Sequence, residues 1–316
     1  MVPVVINIPA GTRVPVTKTL AIDAVYITLR STGSGAILDG LNAHRILHVS
    51  RGGRLILENV ALENGQVTDE GGACALVEHS FTELHMIGGH VSNCRANGLP
   101  KSAIYTKMFS GDYVAEGGGA GVAVISGARL EITDVSFTNC WCGNMGSAVF
   151  AQGSGTVALI TRATMEDSYA GAGSTVFSTV GASVLIKDST IARSTSGFTS
   201  GPYASPDYGY DFGGAAGTLG MGAAMYVEGS TIANCTAAVY LGCGGCAFGA
   251  HFEFVDSKCR GGIAGVAMGG ICITSDATGR VEGSEIDGAQ GAAIGGGLTL
   301  GAATATIKNT VIKCVR

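Results

Sequence analysis

The chain has 316 residues, 51 of them glycine, with 46% hydrophobic and 14% charged residues and a formal net charge of −5. So apolar and charge-poor a composition excludes a disordered polar chain. The glycines do not recur every third residue, which excludes collagen. The acidic balance gives no electrostatic basis for binding nucleic acid. Few aromatics and many glycines point instead to numerous short strands joined by tight turns.

From the N-terminus, Met1-Val2-Pro3 leads directly into strand-like sequence, without the basic and long apolar segments of a signal peptide. Val4 to Val16 carries Pro9 and Pro15 and reads as an irregular cover, so residues 1–19 are expected to form an N-terminal cap. Beyond it a nine-residue phrase recurs nine times. It begins at Leu57, Met86, Ile132, Ile160, Ile186, Val227, Phe254, Val281 and Ile307. Successive copies lie 26 to 29 residues apart, apart from two spacings of 46 and 41. A fixed period of this size marks a solenoid, and the apolar residues within it alternate as in a strand rather than following a helical period.

The columns of the aligned phrases explain why the chain must stack. The first position (Leu57, Met86, Ile132 and their equivalents) and the sixth (Leu62, Val91, Phe137 and theirs) are apolar throughout and must point inward. The third is mostly Asn, Asp or Gly, residues that tolerate left-handed backbone angles. The eighth holds Asn64, Asn93, Asn139, Asp167 and Asn234, a column able to hydrogen-bond from coil to coil. No single coil can bury its own apolar side, so coils stack about one strand spacing, ~4.8 Å, apart. The expected fold is therefore all-β: one single-stranded, right-handed parallel β-helix of about 10 coils and ~27 residues per coil, right-handed being the usual hand of parallel crossovers. The two uncharged stretches Gly229–Ala250 and Gly288–Ile307 belong to this repeat. They are rich in Gly, Ser and Thr, and no membrane span is expected from them.

Two insertions interrupt the repeat, at about 95–118 and 195–220. The first carries Asp112 and Tyr113; the second carries Tyr203, Asp207, Tyr208, Tyr210 and Asp211. Both leave the coil just after the ninth position, so they should emerge from one corner, three coil steps or roughly 14 Å apart. Trp141, the sole tryptophan, and Tyr169 lie between them at the same register. Trp141, Tyr169, Tyr203, Tyr208 and Tyr113 are thus the candidate lining of a glycan-binding groove, because aromatic faces with clustered polar groups suit a sugar chain. The contrasting reading is that the loops merely cover the flank of the solenoid.

Several phrases resemble the right-handed β-helices of the pectate-lyase-like superfamily, and in detail the repeats of chlamydial polymorphic outer-membrane proteins. Gly71-Gly72-Ala73-Cys74 and Gly118-Gly119-Ala120-Gly121 approximate their Gly-Gly-Ala-aliphatic element, and Phe137-Thr138-Asn139-Cys140 matches their Phe-x-x-Asn. The resemblance implies a surface adhesin or structural stalk. Tyr208-Gly209-Tyr210-Asp211 resembles the Tyr-Gly-Phe-Asp of mannuronan epimerases, but Phe212-Gly213 stands where those enzymes continue Pro-His with the catalytic histidine. Should the chain be an enzyme, Tyr208, Tyr210, Asp207, Asp211 and Asp112 are its candidate catalytic residues.

Ten cysteines suggest an oxidising, extracellular or cell-surface setting. Cys94 and Cys140 share a column in neighbouring coils, within bridging distance, and Cys246 and Cys272 lie at similar depth in successive units; these four are the disulfide candidates. Cys259 falls in an inward column and reads as a buried free thiol. Cys243-Gly-Gly-Cys246 lacks the second ligand pair that zinc requires, and Glu78, His79, Glu83, His85 and His90 lack metal-ligand spacing. No metal and no cofactor are expected. Three function classes stay open. The first is a non-enzymatic extracellular or cell-surface solenoid, structural or adhesive, forming a segment or protomer of a larger assembly. The second is a polysaccharide lyase or uronan epimerase working between the insertions. The third is a glycan- or ice-binding module, for which Thr164, Thr190 and Thr231 supply three rungs. The final phrase, Ile307 to Ile312, reads as an ordinary interior coil whose open end self-association or further coils would cover.

Overall fold

The computed structural model describes residues 3–68, 70–97, 118–197, 213–238, 241–265, 268–291 and 296–313. Among them the chain forms a parallel β-solenoid with four sheets and no helix. Each full coil visits the sheets in a fixed order. The first sheet holds 11 strands, from Val4–Asn7 to Thr304–Lys308. The second holds 11, from Arg13–Pro15 to Val311–Lys313. The third has 8 two-residue strands, from Gln66–Val67 to Gln290–Gly291, and the fourth has 10, from Leu20–Asp23 to Leu298–Gly301. Every pairing is parallel and in register with the next coil, so each column of the repeat becomes a ladder: Met86 pairs with Ile132, Ile132 with Ile160, Ile160 with Ile186.

The two apolar columns point inward as the periodicity requires. From Leu57 to Val281 every first-position side chain is at most 1% exposed, and from Leu62 to Ile286 so is every sixth-position one. Each such burial contributes on the order of 1.5–3 kcal/mol. The pattern breaks only at the last coil, where Ile307 and Ile312 are 45% and 42% exposed because no coil lies above them. All nine third-position residues adopt a left-handed backbone, with φ between 47° and 66°. For non-glycine residues this costs about 1–2 kcal/mol, which explains why Asn, Asp and Gly dominate there. The eighth column behaves alike, and at one rung Asn139 Nδ2 donates to Asn93 Oδ1 at 2.7 Å.

Within 1–19, expected as an irregular cap, the described residues carry two ladder strands. Val4–Asn7 pairs with Tyr26–Arg30 and Arg13–Pro15 with Ala36–Asp39, so the first coil starts at Val4. The prolines permit this. Pro9 falls between strands, and Pro15 ends an edge strand, where a missing N–H costs no ladder bond. The second insertion is also narrower than 195–220. Thr195–Ser196 continues the third sheet and Ala216–Leu219 belongs to the fourth. The small residues Ala216 and Gly217 concealed that strand from any alternation rule.

From its middle coils onward the fourth sheet also buries apolar side chains on its outward face. Its outward Phe150 and Phe177 stack at 6.4 Å and are buried against Met145, Leu219, Leu241 and Met268. Chain entry to this sheet explains the Gly-Gly-Ala element. Gly72 and Gly119 are left-handed, and a Cβ on either would lie 2.5 Å from the carbonyl oxygen of Ala75 or Val122.

Candidate functional site

On the outward face of the third sheet, Arg95, Trp141, Tyr169 and Thr195 occupy one register position in four successive coils. The Trp141 and Tyr169 rings stack with centroids 5.9 Å apart and planes 13° apart. The Arg95 guanidinium lies over the other side of the indole, 4.5 Å from its centroid. Tyr169 donates its hydroxyl to the Gly197 carbonyl oxygen at 3.1 Å. The first insertion departs beyond Asn97 and the second beyond Gly197, each two residues past its rung of this column. Both exits therefore share one corner, with the aromatic pair between them. Tyr113, Tyr203, Tyr208, Tyr210, Asp112, Asp207 and Asp211 lie outside the described residues.

This geometry alters what the aromatic pair can do. A sugar stacks on a ring face, but both faces of Trp141 are taken by its rung neighbours. The indole offers its edge outward, so the column supports the corner from which the loops spring rather than forming a stacking platform.

The ionisable groups around it pair from coil to coil. Arg162 grips Asp134 through two 2.8 Å bonds, and Arg193 donates to both Asp167 and Glu166 at 2.8 Å. Those arginine bonds hold the Asp134 and Asp167 carboxyls below the usual range. On the second sheet Arg13 bridges Asp39 and Glu63, and Glu63 also meets His90 at 2.7 Å. Burial pushes the Asp39 and Glu63 carboxyls up. Hydrogen bonds, from Asn64, the Leu41 amide and Arg13 to Asp39 and from His90 and Arg13 to Glu63, outweigh it, and both end below the usual range. A general acid for glycoside chemistry needs the opposite shift. The histidines singled out by the sequence are likewise engaged: His85 with both Glu83 and Glu131 at 3.1 Å, and His79 with Glu78 at 4.0 Å, where His48 also meets Glu78 at 2.7 Å. Among the described residues no cluster of His, Cys, Asp or Glu could hold a metal ion.

The cysteines need correction. Cys94 stacks beside Cys140, the Trp141 amide donating to the Cys94 carbonyl oxygen at 2.8 Å, yet its disulfide is with Cys74 of its own coil, Cα–Cα 5.7 Å. Gly65 makes room: a Cβ there would be 2.8 Å from the Cys74 sulfur. Cys140 is a thiol. Cys259 is buried but not free, being bonded to Cys243, Cα–Cα 6.0 Å. Cys246 and Cys272 miss each other by one residue of register, since Cys246 pairs with Ile273 and Cys272 with Gly245. That slip turns them to opposite faces, Cys246 into the main core and Cys272 into the outer cluster. Burial pushes the Cys140 and Cys142 thiols up to about 12 and Cys235 to about 11, so none is a ready nucleophile.

One ladder escaped the sequence reading although its column was in view. At the fourth position of the phrase, Ser189, Ser230, Ser257 and Ser284 are buried. The hydroxyl of each accepts the backbone N–H of the coil before it at 3.0–3.2 Å. Each also donates to the carbonyl two residues back at 2.7–2.8 Å. A run of serine at a fixed period was the available signal, masked by serine's ordinary preference for turns.

No protein-family model, no curated protein and no solved structure matches the chain. Among the described residues no helix is long and apolar enough to cross a membrane.

Proposed function

We propose that the chain is a non-enzymatic extracellular or cell-surface solenoid, structural or adhesive in role, that acts as a segment or protomer of a larger assembly. The observation carrying this reading is the contrast between the interior and the ends. Columns that are buried through the inner coils emerge at the edges: Ile307 and Ile312 at one end, Ile6, 46% exposed, at the other. Open parallel edges with apolar side chains are surfaces on which further coils or a second copy stack, burying what is now exposed. The charges along the shaft add support, because they pair coil to coil and strengthen the rod rather than converging on a substrate. Two disulfides favour an oxidising compartment. Kinship with the pectate-lyase-like superfamily and the chlamydial repeats rests on the short motifs alone and belongs to this proposal.

Light scattering over a concentration series tests the reading. Growth in mass that Ile307→Asp and Ile312→Asp abolish is the expected result. A second reading, a glycan groove worked by a lyase or epimerase, draws on the shared corner from which both insertions depart. Assaying the protein against uronan polysaccharides separates the two: depolymerisation or epimerisation lost in Asp211→Asn would replace the structural reading with the enzymatic one.

A further inference from the structure

The outward face of the first sheet carries a pattern that is its own complement. Strand Glu83–Ile87 presents Glu83, His85 and Ile87 outward, and strand His251–Val255 presents His251, Glu253 and Val255. The order of acid and base is reversed between them, while the third position is aliphatic in both. Four strands separate this pair: Arg129–Thr133, Val157–Thr161, Ser183–Lys187 and Ala224–Glu228. The two central ones place Leu159 and Leu185 outward at neighbouring rungs of one column. These outward side chains are half-exposed or exposed, Ile87 at 46%.

We infer that this face binds a second copy of the chain, through a two-fold axis that runs along the strand direction between Val157–Thr161 and Ser183–Lys187. Such an axis keeps each position along the strand and reverses the order of coils. Leu159 then meets the partner copy's equivalent of Leu185, and Leu185 the equivalent of Leu159. In the same way Glu83 faces His251, His85 faces Glu253, Ile87 faces Val255, and Glu131 faces the Tyr226 hydroxyl. Every contact occurs twice, as an isologous interface demands. A head-on match without coil reversal would instead set each rung against itself, His85 on His85 and Glu131 on Glu131, and gains no such pairing.

The area sets the strength. Six strands at ~4.8 Å and five residues at ~3.3 Å make a face of roughly 29 by 16 Å, or about 470 Å² per copy. The total of about 940 Å² lies below the range of stable complexes, so a reversible dimer with Kd on the order of tens of micromolar is expected. The apolar centre supplies attraction, and the reversed acid–base pairs fix the alignment. This association goes beyond the end-to-end reading: it closes at two copies and lies along the shaft.

Sedimentation velocity from about 1 to 200 µM decides it. The protein is expected to pass from monomer to dimer and no further when its ends are blocked by Ile307→Asp. Leu159→Glu and Leu185→Arg should each weaken the dimer at least tenfold by burying a charge against leucine. An equimolar mixture of the two variants should recover it, because the introduced acid and base then face each other across one contact while the other stays leucine on leucine. Glu253→Lys, outward and away from the core, reads the same interface through His85 should a leucine variant misfold. A protein that stays monomeric throughout, or one whose association neither leucine variant touches, overturns the inference. Loss of association in Ile307→Asp alone would still leave the end-to-end reading standing.

Discussion

Replacing Ser257 by alanine isolates one rung of the serine ladder. Ser257 is 1% exposed; its Oγ accepts the Ser230 amide at 3.1 Å and donates to the Val255 carbonyl oxygen at 2.7 Å. Alanine fits the space, so there is no clash and only a small void. What changes is that the buried Ser230 N–H loses its acceptor and no water can reach it. An unsatisfied buried donor costs about 1–3 kcal/mol, and the hydroxyl's own desolvation, no longer incurred, offsets part of that. A net loss of about 2 kcal/mol is expected. In a solenoid this loss is felt locally, by the coils on either side. Amide hydrogen exchange is therefore the right assay: ~2 kcal/mol corresponds to roughly thirty-fold faster exchange at Ser230 wherever exchange proceeds through that local opening. Amides near Leu57, many coils away, should be unchanged. The double substitution Ser230→Ala with Ser257→Ala should cost about the sum of the singles, because each hydroxyl accepts a different backbone N–H, that of Ser189 and that of Ser230. Unchanged exchange at Ser230 would refute the ladder as a stabilising element.

Trp141→Ala removes the stacking with Tyr169 and the cation–π contact with Arg95, together about 1–2.5 kcal/mol, and should lower the denaturant midpoint; an unchanged midpoint would show the column to be passive. Substituting Cys243 and Cys259 together by alanine opens a loop of 16 residues, for which chain entropy gives a loss of about 3 kcal/mol, measurable by urea unfolding under non-reducing conditions. In Cys74→Ala the freed Cys94 lies one rung from Cys140, inside bridging distance, so oxidation followed by peptide mapping should find a Cys94–Cys140 disulfide; two free thiols there would count against the alignment of these coils. Asp39 and Glu63 are held below the usual carboxylate range, so their contribution is present above the unfolded carboxylate pKa and is lost as pH falls through the folded values; stability should drop below about pH 4, and Arg13→Ala should flatten that drop.

The sequence revealed whatever a column repeats. Nine apolar residues at the first position and nine at the sixth could only face inward, and a third position held by Asn, Asp or Gly in all coils but that of Arg162 marked a left-handed turn, because the same physical demand recurs every coil. It concealed what depends on geometry across a coil. The Cys74–Cys94 bond joins positions 20 residues apart that no column relates. Same-column reasoning offered Cys140 instead, a true neighbour of Cys94 but the wrong partner. Cys246 and Cys272 failed for a finer reason. The coils here pair residues 27 apart, as Cys246 with Ile273, while Cys246 and Cys272 are 26 apart, and in a strand that one residue is the difference between core and outer face.

The same limit explains the reading of Trp141. Spacing placed it beside Tyr169 and between the two insertions, and the structure agrees. Spacing says nothing, however, about which way a ring faces. In a stacked solenoid an aromatic side chain has rung neighbours about 4.8 Å above and below, so its faces turn along the axis wherever those neighbours are flat or cationic. Tyr169 is flat and Arg95 is cationic. An exposed aromatic in such a fold offers a free face only where the adjacent rung is small. Trp141 has no such neighbour on either side, so a sugar cannot stack on its indole, and Trp141→Ala should change the stability of this corner while leaving any glycan affinity of the protein unchanged.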